Sequence, residues 1–140
     1  MKKKVIKIYC DGGARGNPGP AASAFAVIEN SKVIYKESKY IGETTNNVAE
    51  YQSVLLAVSW ISKSSVYSSY DEINIFLDSQ LVEKQLNGKY KVKNQGLRKY
   101  FDETKKLLQG ISATITFESL PREKNKLADL LVNEELDNQK

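Results

Sequence analysis

The chain has 140 residues, 41% of them hydrophobic and 9% aromatic, which suits one packed core and excludes a disordered polymer. Its net charge of +4 admits an anionic partner, and its complete lack of histidine excludes His-based triads, His-ligated zinc and His general bases. The one cysteine, Cys10, excludes an internal disulfide, suits a reducing cytoplasm and reads as a buried strand residue rather than a nucleophile. No apolar run approaches the roughly 20 residues of a membrane span, and the start MKKKVIKIYC lacks the apolar stretch and cleavage site of a signal peptide. A single domain over residues 1–140 is expected.

Apolar and β-branched residues predict a strand over 5–10, a second over 21–28 and a third over 32–40, with a turn at Asn30 and Ser31 between the last two. Three consecutive strands imply an antiparallel meander. The period then changes: Tyr51, Val54, Leu55, Val58 and Ile61 follow helical spacing, predicting a helix over 47–63. The serine-rich SKSSVYSSYDE reads as a loop, residues 73–77 as a short strand and 79–86 as a short helix. Residues 87–96 are polar and basic. Leu97, Tyr100, Phe101, Thr104, Leu107 and Leu108 mark an amphipathic helix closed by Gly110. Ala113, Ile115 and Phe117 alternate as a fifth strand, residues 121–126 form a charged loop, and a last helix covers 127–136. The order βββαβααβα predicts an α/β fold: a five-stranded mixed sheet with helices on its faces.

Two strands in this reading end in an acid, Asp11 and Asp78, where open α/β sheets place ligands. Two more acids, Glu50 and Asp129, fall near helix starts. Each also has a purely structural reading. Asp11 can serve the turn before Gly12. Glu50 can form a capping box with Asn47, Asp78 can cap the helix at Ser79, and Asp129 can favour a helix dipole. The four acids lie tens of residues apart and form no local metal motif such as an EF-hand loop.

Four segments, DGGARGNPGPAA, TTNNVAEYQ, LDSQLV and PREKNKLADLLVN, together resemble the motif blocks of type 1 ribonucleases H, in that family's order and over nearly the whole chain. The resemblance implies a ribonuclease H-like fold and an endonuclease that hydrolyses the RNA strand of RNA/DNA hybrids. It implies that Asp11, Glu50, Asp78 and Asp129 gather as a catalytic quartet holding two Mg2+ ions, with Mn2+ as a substitute. Clustered carboxylates repel one another, and hard divalent cations relieve that repulsion. Such a site needs no covalent nucleophile and no histidine. The implied protein is a cytoplasmic monomer whose partner is an RNA/DNA hybrid, with double-stranded RNA a second possible substrate and no membrane role.

The same resemblance assigns substrate contacts. Gly12 and Gly13 let backbone approach a polyanion, and Arg15 lies in the same loop. Asn17 matches a residue that contacts the hybrid's minor groove, and Thr45 a hydroxyl that grips a DNA-strand phosphate. Asn46 and Asn47 open a helix, whose free N–H groups favour phosphate. Gln80 and Asn94 match residues that contact the RNA strand. The stretch NGKYKVKNQGLRK is a shortened form of the family's basic handle, and its Lys89, Lys91 and Lys93 are expected on phosphates. Many relatives carry a histidine on the loop before the last acid. Here that loop has none, and Arg122 is the nearest basic auxiliary, with Asn125 a further polar contact. A guanidinium does not act as a general base, so Arg122 would hold phosphate or stabilise developing charge. Two other readings stay open on the sequence: a non-cleaving module that binds hybrid or structured RNA, and a related DNA-acting nuclease of the resolvase or integrase type.

Overall fold

The computed structural model describes residues 2–139. Five strands, β1 (Val5–Ala14), β2 (Gly19–Glu29), β3 (Lys32–Thr44), β4 (Glu72–Leu77) and β5 (Thr114–Ser119), form one mixed sheet in the order β3-β2-β1-β4-β5. β1 pairs antiparallel with β2 and β2 with β3, whereas β1–β4 and β4–β5 are parallel. The four helices are α1 (Asn46–Lys63), α2 (Gln80–Leu86), α3 (Gln95–Leu108) and α4 (Lys126–Asp137). The meander, the strand–helix units and their order follow the sequence expectation. Asn30 and Ser31 take positive φ values of 52° and 66°, the backbone that a tight two-residue hairpin turn demands.

The sheet is covered on both faces. Ile6, Ile8 and Cys10 of β1, Phe25 and Val27 of β2, and Ile73, Ile75 and Leu77 of β4 pack against Tyr51, Val54, Val58 and Ile61 of α1. α3 lies on α1 and closes this larger core with Leu97, Tyr100 and Phe101. On the other face Ala22, Ala24 and Ala26 meet Leu131, Val132 and Leu136 of α4. Alanine at alternate positions of β2 leaves room for that helix against the backbone.

The strands outrun their sequence signals. β1 continues past Cys10 through the glycines to Ala14, because β2 goes on pairing with it from Asp11↔Ala24 to Ala14↔Ala21. Its parallel partnership with β4 stops earlier, at Tyr9↔Phe76. Asp11 is therefore inside a strand whose β4-facing side has just opened, not at a strand end. β3 likewise extends to Thr44, and a 3-10 turn at Tyr67–Ser69 sits within the serine-rich loop.

Candidate active site

Asp11, Glu50 and Asp78 converge at the centre of the sheet: one carboxylate oxygen of each lies within 4.8 Å of the others. Each arrives by a different route. Asp11 is held by the β1–β2 ladder and is 2% exposed. Asp78 follows the last residue of β4 and remains partly open to solvent. Glu50 comes from the second turn of α1 and is 3% exposed. Thr45 fixes where α1 begins, its hydroxyl accepting from the Val48 N–H at 3.2 Å.

The local geometry removes the capping readings of Glu50 and Asp78. Thr45, not Asn47, caps α1, so no capping box claims Glu50. Ser79, not Asp78, caps α2, accepting from the Val82 N–H at 3.2 Å and leaving the Asp78 carboxylate for the cluster. Asp129 lies in the first turn of α4, where a negative charge also favours the helix dipole. It stands outside the tight trio, and its Oδ1 faces Nη2 of Arg122 at 3.7 Å.

The electrostatics are those of crowded like charges. Burial, then Asp78 and Asp129, push the Asp11 carboxyl up to about 8, with Arg122 opposing them. Burial, then Asp78 and Asp11, hold Glu50 well above the usual carboxylate range, the Gly12 backbone N–H partly offsetting them. Glu50 Oε1 is buried and has no hydrogen-bond partner. A buried carboxylate oxygen without a donor, on a residue crowded by two other carboxylates, fits a hard divalent cation with oxygen ligands.

Gly12, Gly13, Asn46, Asn47, Ser79 and Arg122 line the cleft above the trio. Ser79 is absent from the sequence-derived set; its signal was its place directly after Asp78 at a helix start. Gly12 earns its place differently from expectation. A Cβ there would stand 2.1 Å from the carbonyl carbon and oxygen of Ala49 and 2.5 Å from the Glu50 nitrogen. Its lack of side chain lets α1 lie directly on β1, which carries Glu50 up to Asp11. Gly13 has no such constraint, since a Cβ there would meet only Val132 Cγ1, at 3.9 Å.

The asparagines lock the same junction. Asn46 Oδ1 accepts from the Ala14 N–H at 2.8 Å, and Asn17 Oδ1 accepts from the Asn46 N–H at 3.0 Å. Two expected contacts are redirected. The Arg15 guanidinium pairs with Asp137 at 2.8 Å and reaches Asn133 at 3.4 Å, tying the end of β1 to the last turns of α4 rather than to the cleft. Asn125 is 1% exposed and donates through Nδ2 to the Cys10 carbonyl at 2.8 Å. It straps the turn before α4 to β1, and its Oδ1 is buried without a hydrogen-bond partner.

Farther out, Gln80 is exposed as the first residue of α2, and Asn94 caps α3 by accepting from the Leu97 N–H at 3.2 Å. Lys89, Lys91 and Lys93 are exposed on the irregular segment between α2 and α3, which buried Val92 pins down. None of the three joins an ion pair among the described residues. The neighbouring Arg98 is neutralised by Asp102 at 3.1 Å, while Lys99 lies 5.0 Å over the Tyr100 ring.

A mixed sheet in this order, with carboxylates gathered where the parallel pairing of β1 and β4 stops, defines a ribonuclease H-like α/β fold. The family model described as reverse transcriptase-like matches residues 9–135. Ribonuclease HI of Halobacterium salinarum is 38% identical over 134 residues, covering 94% of this chain and 64% of that protein. Ribonuclease H of Paramagnetospirillum magneticum is 33% identical over 118 residues, 73% of this chain and 71% of that one. LC11-RNase H1, whose crystal structure is a complex with an RNA/DNA hybrid, superposes with a TM-score of 0.90 at 38% identity, covering 96% of this chain and 98% of that one. The chain belongs to the ribonuclease H family. It spans 36% of the length of the Mycobacterium proteins it matches at 36% identity, one of them named a bifunctional protein. Among the described residues no helix is long and apolar enough to cross a membrane.

Proposed function

We propose that this chain is an endonuclease that hydrolyses the RNA strand of RNA/DNA hybrids, using two divalent ions held by Asp11, Glu50, Asp78 and Asp129. The observation that carries this reading is the convergence of Asp11, Glu50 and Asp78 within 4.8 Å, with Glu50 Oε1 buried and unpartnered. Mg2+ is the ion this all-oxygen donor set suits, with Mn2+ as its substitute. Bound there, such ions supply a deprotonated water at neutral pH and neutralise charge on the leaving oxygen.

The protein's own part is placement. Asp11 and Glu50 are rigid because a ladder and a helix start hold them. Asp78 and Asp129 are more exposed and stand on the side from which a scissile phosphate enters. The start of α1 offers the Asn47 N–H and the side-chain amides of Asn46 and Asn47 to the backbone of a bound strand, the Asn46 N–H being held by Asn17. Asn17, Gln80 and Asn94 present polar groups for sugar and base edges in a wide minor groove, where a 2′-hydroxyl tells RNA from DNA, and Thr45 meets a DNA-strand phosphate. Lys89, Lys91 and Lys93 meet phosphates beyond the cleft. Arg122 holds a phosphate oxygen or stabilises charge developing on it. We place this activity in the cytoplasm, where a lone buried thiol such as Cys10 stays reduced.

The deciding experiment offers the protein end-labelled RNA/DNA hybrid beside the matched single strands, double-stranded DNA and double-stranded RNA, with Mg2+, Mn2+ or EDTA. Internal cuts confined to the hybrid's RNA strand and abolished by EDTA are expected. Tight hybrid binding without cuts would make it a binding module, and cuts in double-stranded DNA a DNA-acting nuclease. Double-stranded RNA cleavage would widen the substrate class.

A further inference from the structure

Arg122 stands in a 3-10 turn, Arg122–Lys124, between β5 and α4. It faces two members of the quartet at once. Its Nε lies 4.0 Å from Asp78 Oδ2 and its Nη2 lies 3.7 Å from Asp129 Oδ1. Both distances are too long for hydrogen bonds, so the attachment is electrostatic and loose. The other arginines are held harder, Arg15 at 2.8 Å from Asp137 and Arg98 at 3.1 Å from Asp102. The Arg122 side chain is 73% exposed. It can therefore leave without disturbing the core.

We propose that Arg122 is a built-in counter-ion of the carboxylate cluster, which Asp78 and Asp129 must release before they take a divalent cation. This inference rests on the ion site proposed above. A guanidinium and a cation compete for the same two carboxylates, so the presence of Arg122 weakens cation binding to the free protein. A phosphodiester entering the cleft gives the guanidinium another anion to hold. Its departure then frees Asp78 and Asp129, and hybrid binding and cation binding strengthen one another by linkage. Arg122 would thus confine tight ion binding to the substrate complex.

The test is Mn2+ binding, followed by calorimetry and by the electron-spin signal of free Mn2+. It compares the unaltered protein with Arg122→Ala, Arg122→Gln, Arg122→Lys and Asp11→Asn. Lys124→Ala, which removes a charge from the same turn without touching the acids, serves as the charge control. Each protein is measured alone and with a hybrid whose RNA strand carries uncleavable 2′-O-methyl sugars. Arg122→Ala and Arg122→Gln should bind Mn2+ roughly two- to fivefold more tightly, the scale of an exposed charge pair. Arg122→Lys should fall between, and Lys124→Ala should change affinity less than twofold. The hybrid should tighten Mn2+ binding in the unaltered protein and do so less in the Arg122 variants. Equal or weaker binding in both neutral variants overturns the counter-ion role. If the unaltered protein binds Mn2+ no better than Asp11→Asn, the ion site itself is wrong, which is a separable failure.

Discussion

Asp11 on β1 and Asp78, the residue just past β4, fall at one level of two neighbouring parallel strands. The β1–β4 register runs from Val5↔Glu72 to Tyr9↔Phe76, and two further steps along it set Asp11 opposite Asp78. Adjacent parallel strands lie about 4.8 Å apart, so two acids at one level have their carboxylates in mutual reach. The ladder stops just before them. That leaves room at its end for something other than a backbone partner.

Asp78→Asn keeps the shape of this pair and removes one charge. Hybrid cleavage in Mg2+ should fall by about a hundredfold or more, the scale of losing one charge-stabilising group. The circular dichroism spectrum should stay as it was. Near-normal turnover in this variant would take Asp78 out of the site.

The Asp11 carboxyl is pushed up to about 8, against about 3.9 for an unfolded aspartate. Between those values the folded chain holds a proton the unfolded chain has lost. Without divalent ions, stability should therefore decline as pH rises from about 4 through about 8, with Glu50 adding to the decline. Asp11→Asn should flatten the decline and melt higher than the unaltered protein at pH 8 in EDTA. Saturating Mg2+ should raise the melting temperature of the unaltered protein more than that of the variant. Melting curves across pH check this, and an Asp11→Asn curve parallel to the original would refute it.

Gly12 and Gly13 are neighbours with opposite expectations. Gly12→Ala drives a methyl into the Ala49 backbone and should cost about 3 kcal/mol or more, some 10 °C in melting temperature. Gly13→Ala meets only ordinary contact distances and should shift melting by a few degrees at most. Thermal melts of the two variants side by side decide the matter; equal losses would mean that β1 and α1 do not touch as described.

Neutralising Lys89, Lys91 and Lys93 together should weaken hybrid binding and flatten its salt dependence. The log–log slope should drop by about 0.7 to 0.9 for each phosphate contact removed. Binding isotherms at several salt concentrations measure it. A slope identical to the original would leave these lysines as surface charge only.

Arg122→Ala should lower the turnover number by about ten- to a thousandfold, with a smaller change in KM. Arg122→Lys should restore only part of it, because an ammonium does not reproduce the guanidinium fork. Steady-state kinetics at saturating Mg2+ separate this effect from ion affinity. Intact turnover in Arg122→Ala would show that the carboxylates suffice.

The sequence carried the element order well, because hydrophobic period is a local property: Tyr51, Val54, Val58 and Ile61 declare α1 without help from any partner. The extension of β1 through Gly12 and Gly13 was not legible, since only pairing with β2 keeps two glycines extended. The four acids were findable through their motif blocks and not through their spacing. What escaped was the division of labour around them. Nothing in DSQ says that Ser79 rather than Asp78 will cap α2. A polar Asn125 in a charged loop gives no sign that it will be buried under β1. Both outcomes depend on which backbone groups the tertiary fold leaves without partners.

The strap from Asn125 to the Cys10 carbonyl and the acid Asp129 beyond it have a consequence in time. Both belong to the start of α4, so Asp129 cannot join Asp11, Glu50 and Asp78 on a growing polypeptide until α4 has emerged from the ribosome and docked. The sheet's antiparallel meander can form early from neighbouring residues, whereas this long-range closure comes last. A protein built this way can gather Asp11, Glu50 and Asp78 from its first three strands, α1 and β4, and adds Asp129 and the Asn125 strap only when α4 docks.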